Sequence, residues 1–157
     1  MIRTIVGFHP DGDDSWVAEL SCSHSQHVRH RPPFSDRAWV QDPAGRAGRI
    51  GSPIECPLCQ RGERPEGLVL LRRAGPWDQD TLPDGLLGTH RTPEGRWGLL
   101  RVLEGSVDFQ LLEDERTAGP VLHLVAGSEQ PIPPEVPHRL VRVGPVRLEL
   151  ELWGRPP

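Results

Sequence analysis

The sequence of 157 residues has no lysine, no asparagine and no tyrosine. All 18 of its basic residues are therefore arginine, which excludes Schiff-base chemistry, a P-loop lysine and a tyrosine general acid together. Any chemistry has to come from His, Asp, Glu, Cys, Ser, Thr, Arg or a bound metal. No apolar run reaches the roughly eighteen residues of a membrane-spanning helix. The first residues lack a signal peptide's apolar core, so the expected compartment is the cytosol, with no membrane partner. Charge of neither sign dominates: a net charge of -4 with 36% hydrophobic residues describes neither a polyanion binder nor a disordered tail. Long helices are disfavoured as well, because 18 Pro and 17 Gly interrupt them, and strands joined by turns are expected instead.

Cysteine is scarce, and its placement is informative. The three cysteines are Cys22, Cys56 and Cys59. An odd number cannot pair fully as disulfides, and nothing points to an oxidising compartment. Cys22-x-His24 and Cys56-x2-Cys59 instead make two short knuckles about thirty residues apart. Together they supply the sulfur and nitrogen ligands of a closed, tetrahedral structural zinc site. A tight turn aims both side chains of a knuckle at the metal, and the long gap lets two such turns converge. A redox role for Cys56 and Cys59 is the competing reading, but nothing sets them on the strand-to-helix turn of a thioredoxin-like fold. His24 is favoured as the fourth ligand by its tight spacing, with His27 and His30 as alternates.

Strands are expected over residues 2–8 and 16–20, forming a hairpin that presents the first knuckle, with a possible extension over 26–31. A short helix is expected within 43–50. This first region, 1–62, is too small for a hydrophobic core alone, since below about 70 to 80 residues a metal or another staple is commonly needed. Residues 63–79 read as linker and leading strand. Residues 80–157 hold short β-type segments separated by Gly and Pro, at 99–112 with a bend at 102–106, then at 121–125, 139–143 and 145–153. In the last of these, Val146, Leu148, Leu150 and Leu152 share one face; Arg147, Glu149, Glu151 and Trp153 share the other.

The second half resembles the cupin superfamily. Gly127, Pro133 and His138 keep the intervals of the second cupin motif, with Glu135 at its middle Gly and Arg142 at its final Asn. The first motif survives in Gly105 and His90, whereas its second His position is Thr92 and its Glu falls near Gly98. More closely, residues 82–106 and 130–139 look like the small cupin-like domain of YeaR and of the N-terminus of TehB tellurite-resistance proteins. The first half, with Gly7-Phe8-His9, Asp11, 16–20, Cys22, His24, His27, His30 and 56–59, is similar to an uncharacterised bacterial zinc-binding family. These resemblances imply a mainly β protein: a small zinc-stabilised domain followed by a cupin-like β-barrel, a double-stranded β-helix or jelly roll.

The cupin positions supply His90 and His138, two imidazoles where a zinc or iron site wants three or four protein ligands. Glu149 is the expected third ligand for a second divalent metal, ahead of Glu129, Glu135 and Glu151. Arg91, Arg139 and Arg142 are candidate anion-binding groups, because guanidinium matches carboxylates and oxyanions bidentately. The readings carried forward are three. The first is a stress-related module binding a small molecule or oxyanion. The second is a metal-dependent cupin enzyme of oxygenase, isomerase or hydrolase type, using His90, His138 and a carboxylate. The third is nucleic-acid or protein interaction through the zinc domain. The balance of acidic and basic residues in 1–62 speaks against nucleic acid. A homodimer is plausible, since cupin barrels often pair.

Overall fold

The first stretch forms the expected hairpin, β1 (Ile2–Pro10) pairing antiparallel with β2 (Trp16–Leu20). This computed structural model describes every residue except 13, 14, 115, 142 and 143. It divides into two units, 1–65 and 66–157.

In the first unit β3 (Ser25–Val28) adds to β2, and β4 (Pro53–Glu55) adds to the other side of β1, giving the order β3-β2-β1-β4. The short helix α1 (Pro43–Ala47) starts where Asp42 accepts a bond from the Gly45 amide at 2.7 Å, with Pro43 at its first position. Trp39, just before it, meets Phe8 edge-on with ring centres 6.0 Å apart, and the Arg46 guanidinium lies 3.4 Å from the centre of the Trp16 ring. Ile5, Leu20, Val28 and Val40 are buried in this unit. Helix α2 (Pro57–Gln60) follows β4 directly. Having β1 between β2 and β4 brings the residues after β2 and those after β4 to one end of the sheet.

The second unit is built on β6 (Trp97–Leu112), a 16-residue strand that serves two sheets. Its first half lies between β10 (Val146–Gly154) and β8 (Glu129–Ile132), and β5 (Val69–Asp78) pairs with the outer side of β10. Its second half lies between β7 (Ala118–Val125) and β9 (His138–Val141). The partners change at Gly105, whose φ of +71° falls in the bend expected from sequence. Leu100, Val102, Val107 and Phe109 from both halves share one core with Leu140, Val146 and Leu148. The helix α3 (Asp84–Leu87) sets Leu86 and Leu87 against it.

The mainly β expectation holds. The closed barrel does not: β5 pairs only with β10 and β7 only with β6 among the described residues, so the strands do not complete the ring a barrel requires. The expected strand at 139–143 is β9, and its last two positions lie outside the described residues.

One irregularity breaks the pairing of β5 with β10. Leu148 pairs with Trp77 and Leu150 with Ala74, so three steps on β5 match two on β10. This bulge is centred on Gly75, with a φ of +96°, and it turns Trp77 to the same side as Ala74.

Candidate functional site

Four buried side chains converge in the first unit. Cys22 and His24 lie on the turn after β2, held by bonds from the Leu20 amide to the His24 carbonyl and from the Ser23 amide to the Leu20 carbonyl. Cys56 starts α2 and Cys59 lies within it. The His24 Nδ1 atom is 3.4 Å from the Cys22 Sγ and 3.5 Å from those of Cys56 and Cys59; the Cys22 and Cys56 sulfurs are 3.9 Å apart. A tetrahedral ion with bonds of about 2.3 Å to sulfur and about 2.0 Å to nitrogen would space its ligands by about 3.8 Å and about 3.5 Å. The group therefore fits one metal ion, and all four members are buried. The hydrogen bond from the Cys59 thiol, with contacts to His24, holds Cys22 down at about 4, against burial; Cys59, donating to Cys22 and buried, is pushed up.

His24 is the imidazole in the group, as favoured. The alternates are elsewhere: His27 is exposed and pairs with Asp11 at 3.1 Å, and His30 accepts a bond from the Arg37 amide at 3.0 Å. Sequence reasoning missed Arg3. Its guanidinium is buried on β1 and acts on Cys59 as a positive charge. Three thiolates around a divalent ion would leave one net negative charge, which a buried arginine would offset. Nothing in residues 2–5 signalled it, because the apolar Ile2 lies on the exposed face while Arg3 shares the buried face with Ile5.

In the second unit His90 and His138 do meet. Their backbones exchange two hydrogen bonds, of 3.0 and 2.9 Å, and their rings lie 4.2 Å apart. Each Nδ1–H donates to a carbonyl, that of Gly88 at 2.9 Å for His90 and that of Val136 at 2.7 Å for His138. Burial lowers the His138 pKa to about 4, so at neutral pH its Nε2 carries a lone pair rather than a proton. Both rings line a small gap of about 10 Å³ with Leu86, Phe109 and Leu150, about the least that admits one water.

Glu149 does not join them. It lies on the face of β10 opposite Leu148 and Leu150, and Leu150 is the residue beside the imidazoles. Glu151, on that same opposite face, is buried. Burial raises its pKa, but bonds from Arg73 at 2.6 Å and from the Trp153 indole at 3.0 Å, with the charge of Arg101, bring it below the usual range. Glu129 pairs with Arg101 at 3.1 Å, and Glu135 occupies a turn with a φ of +61°. Among the candidate anion binders, Arg139 donates to Gln110 at 2.8 Å, Arg91 is exposed, and neither lines the gap beside the imidazoles or the cleft between β5 and β10 and the α3 segment; Arg142 lies outside the described residues.

The larger opening was not foreseen. A cleft of about 310 Å³ lies between β5 and β10 and the α3 segment, lined by Arg72, Ala74, Trp77, Leu86, Leu150 and Leu152 among others. Leu86 and Leu150 are common to it and to the gap beside the imidazoles. The Gly75-Pro76 pair was the sequence signal for the bulge that places Trp77 there.

Comparison with known proteins agrees with this division. Residues 6–63 match a family described as a protein of unknown function (DUF3565), and residues 72–150 match the TehB-like domain. No curated protein matches the chain. A crystal structure of an Escherichia coli K12 protein is similar at 22% identity and a TM-score of 0.56, over 60% of this chain and 98% of that one. TehB from Haemophilus influenzae is similar at 23% identity and a TM-score of 0.54, over 57% of this chain and 32% of that one. The chain thus spans about a third of TehB, and at these identities the likeness is one of fold. By the match over residues 72–150, half of its length, the chain belongs to the TehB-like domain family.

Proposed function

We propose that this is a zinc-stabilised protein whose TehB-like unit is a tellurite-resistance-related module for binding a small molecule. Zinc suits the first unit because three sulfurs and one nitrogen at tetrahedral spacing leave no open position, the mark of a structural site. The ion would act there as a staple for a unit with few apolar residues to bury, and Cys22, His24, Cys56 and Cys59 would hold it.

The observation that carries the binding reading is the cleft of about 310 Å³, which shares Leu86 and Leu150 with the gap beside His90 and His138. Its volume is at the lower end of small-molecule sites, about 300 to 1,000 Å³, and its walls are mainly apolar with few polar groups, as such sites are. Binding is preferred to metal catalysis because no carboxylate stands with the two imidazoles: among the described residues, the group around Cys22 is where three or more ligands gather.

The test is titration with a neutral fluorescent probe, N-phenyl-1-naphthylamine. Saturable binding at one site per chain is expected, and it should be lost in Ala74→Trp, which fills the cleft from the edge strand. Unchanged binding in that variant would remove the cleft from the proposal.

A further inference from the structure

We infer that the ligand of this cleft is a small organic anion with a flat apolar body, an aryl carboxylate in chemical class, with its carboxylate on Arg72 and its ring against Trp77. The inference rests on the binding reading above and specifies its ligand.

Two adjacent arginines on β5 make the case. Strand alternation sends them to opposite faces. Arg73 faces Glu151, with its Nε at 3.1 Å and a terminal nitrogen at 2.6 Å from one carboxylate oxygen. Arg72 pairs in register with Leu152, lines the cleft, and has no acidic partner among the described residues. Arg61, Arg101 and Arg147, by contrast, each have an acidic partner. An uncompensated guanidinium at the mouth of an apolar cleft is a fork for a carboxylate, which it can engage through two parallel bonds.

The remaining walls set the rest of the ligand. Ala74, Trp77, Pro83, Leu86, Leu150 and Leu152 offer contact area and one flat indole, but no further charge. A strongly hydrated inorganic oxyanion would exchange its water shell for a single cation and hydrocarbon, at a large cost. A carboxylate at the rim keeps part of its hydration while its ring loses water against Trp77 and the leucines. The cleft holds about ten water volumes, enough for a bicyclic aromatic acid.

The experiment is calorimetric titration of the full, zinc-loaded chain with 2-naphthoate, with its neutral counterpart 2-naphthamide, and with tellurite. Naphthoate should bind at one site at least ten-fold more tightly than the amide, with tellurite weaker than both. Arg72→Gln should bring naphthoate to the level of the amide and leave the amide unchanged. Arg72→Lys, which keeps the charge but not the fork, should fall between. Equal binding of acid and amide in the native chain, or naphthoate unaffected by Arg72→Gln, overturns the anion assignment while leaving the cleft a binding site. Tellurite binding more tightly than naphthoate also overturns it. If neither naphthalene binds at millimolar concentration the inference falls, and the neutral-probe titration then decides separately whether the binding reading falls with it.

Discussion

At the scale of single residues, the metal cluster gives the sharpest expectations. Elemental analysis should find one zinc per chain, lost in Cys59→Ser or His24→Ala and retained in the His90→Ala/His138→Ala double variant. His138 gives a second. Its imidazole takes a proton near 6.5 when unfolded and near 4 when folded, so the unfolded state binds more protons between these values. Stability of the second unit is therefore full above about 6.5 and falls as pH drops toward 4, by up to about 3 kcal/mol. His138→Gln should flatten that dependence in urea titrations at pH 7 and 5. Glu135 gives a third: it holds a φ of +61°, a conformation that glycine adopts without strain, so Glu135→Gly should raise stability by about 1 kcal/mol. The cysteines and His24 were legible in sequence because each knuckle is local, its two members two or three residues apart. Arg3 and Arg72 were not, because their significance depends on what lies across a strand or a cleft.

At the scale of elements, glycine sets two geometries. A Cβ on Gly105 would fall on the Pro145 carbonyl, in a backbone conformation that other residues rarely adopt. Gly105→Ala should therefore cost more than about 3 kcal/mol, or prevent the second unit from folding. Gly75→Ala is milder, because its new Cβ would meet Leu148 and Trp77 at 3.1 Å. It should cost about 1 to 3 kcal/mol and weaken probe binding by shifting Trp77, measured as the unfolding midpoint and the titration endpoint. The long strands were legible: β10 alternates over Val146 to Leu152 as its two faces require. β4 and β8, with three and four residues, are too short to show a period. Whether the sheets close depends on which distant strands pair, and alternation within a strand carries no record of that.

For the whole molecule, the two units should part company when metal is removed. A chelator should unfold residues 1–65, which rely on the Cys22 cluster, and leave the β-signal of 66–157 in place, read as a partial loss of circular dichroism before a separate thermal transition. Loss of both units together would refute independent stability. Within the second unit, attachment is unequal. β6 bonds to four strands, so its central amides exchange with deuterium only when the entire unit opens. β5, which carries Arg72 and Trp77, bonds among the described residues to β10 alone. Its amides should exchange orders of magnitude sooner, through local detachment that leaves the β6 ladder intact. Such detachment would move one wall of the cleft without unfolding the unit, so a bound ligand that bridges β5 and β10 should slow the exchange of the β5 amides while leaving those of β6 unchanged.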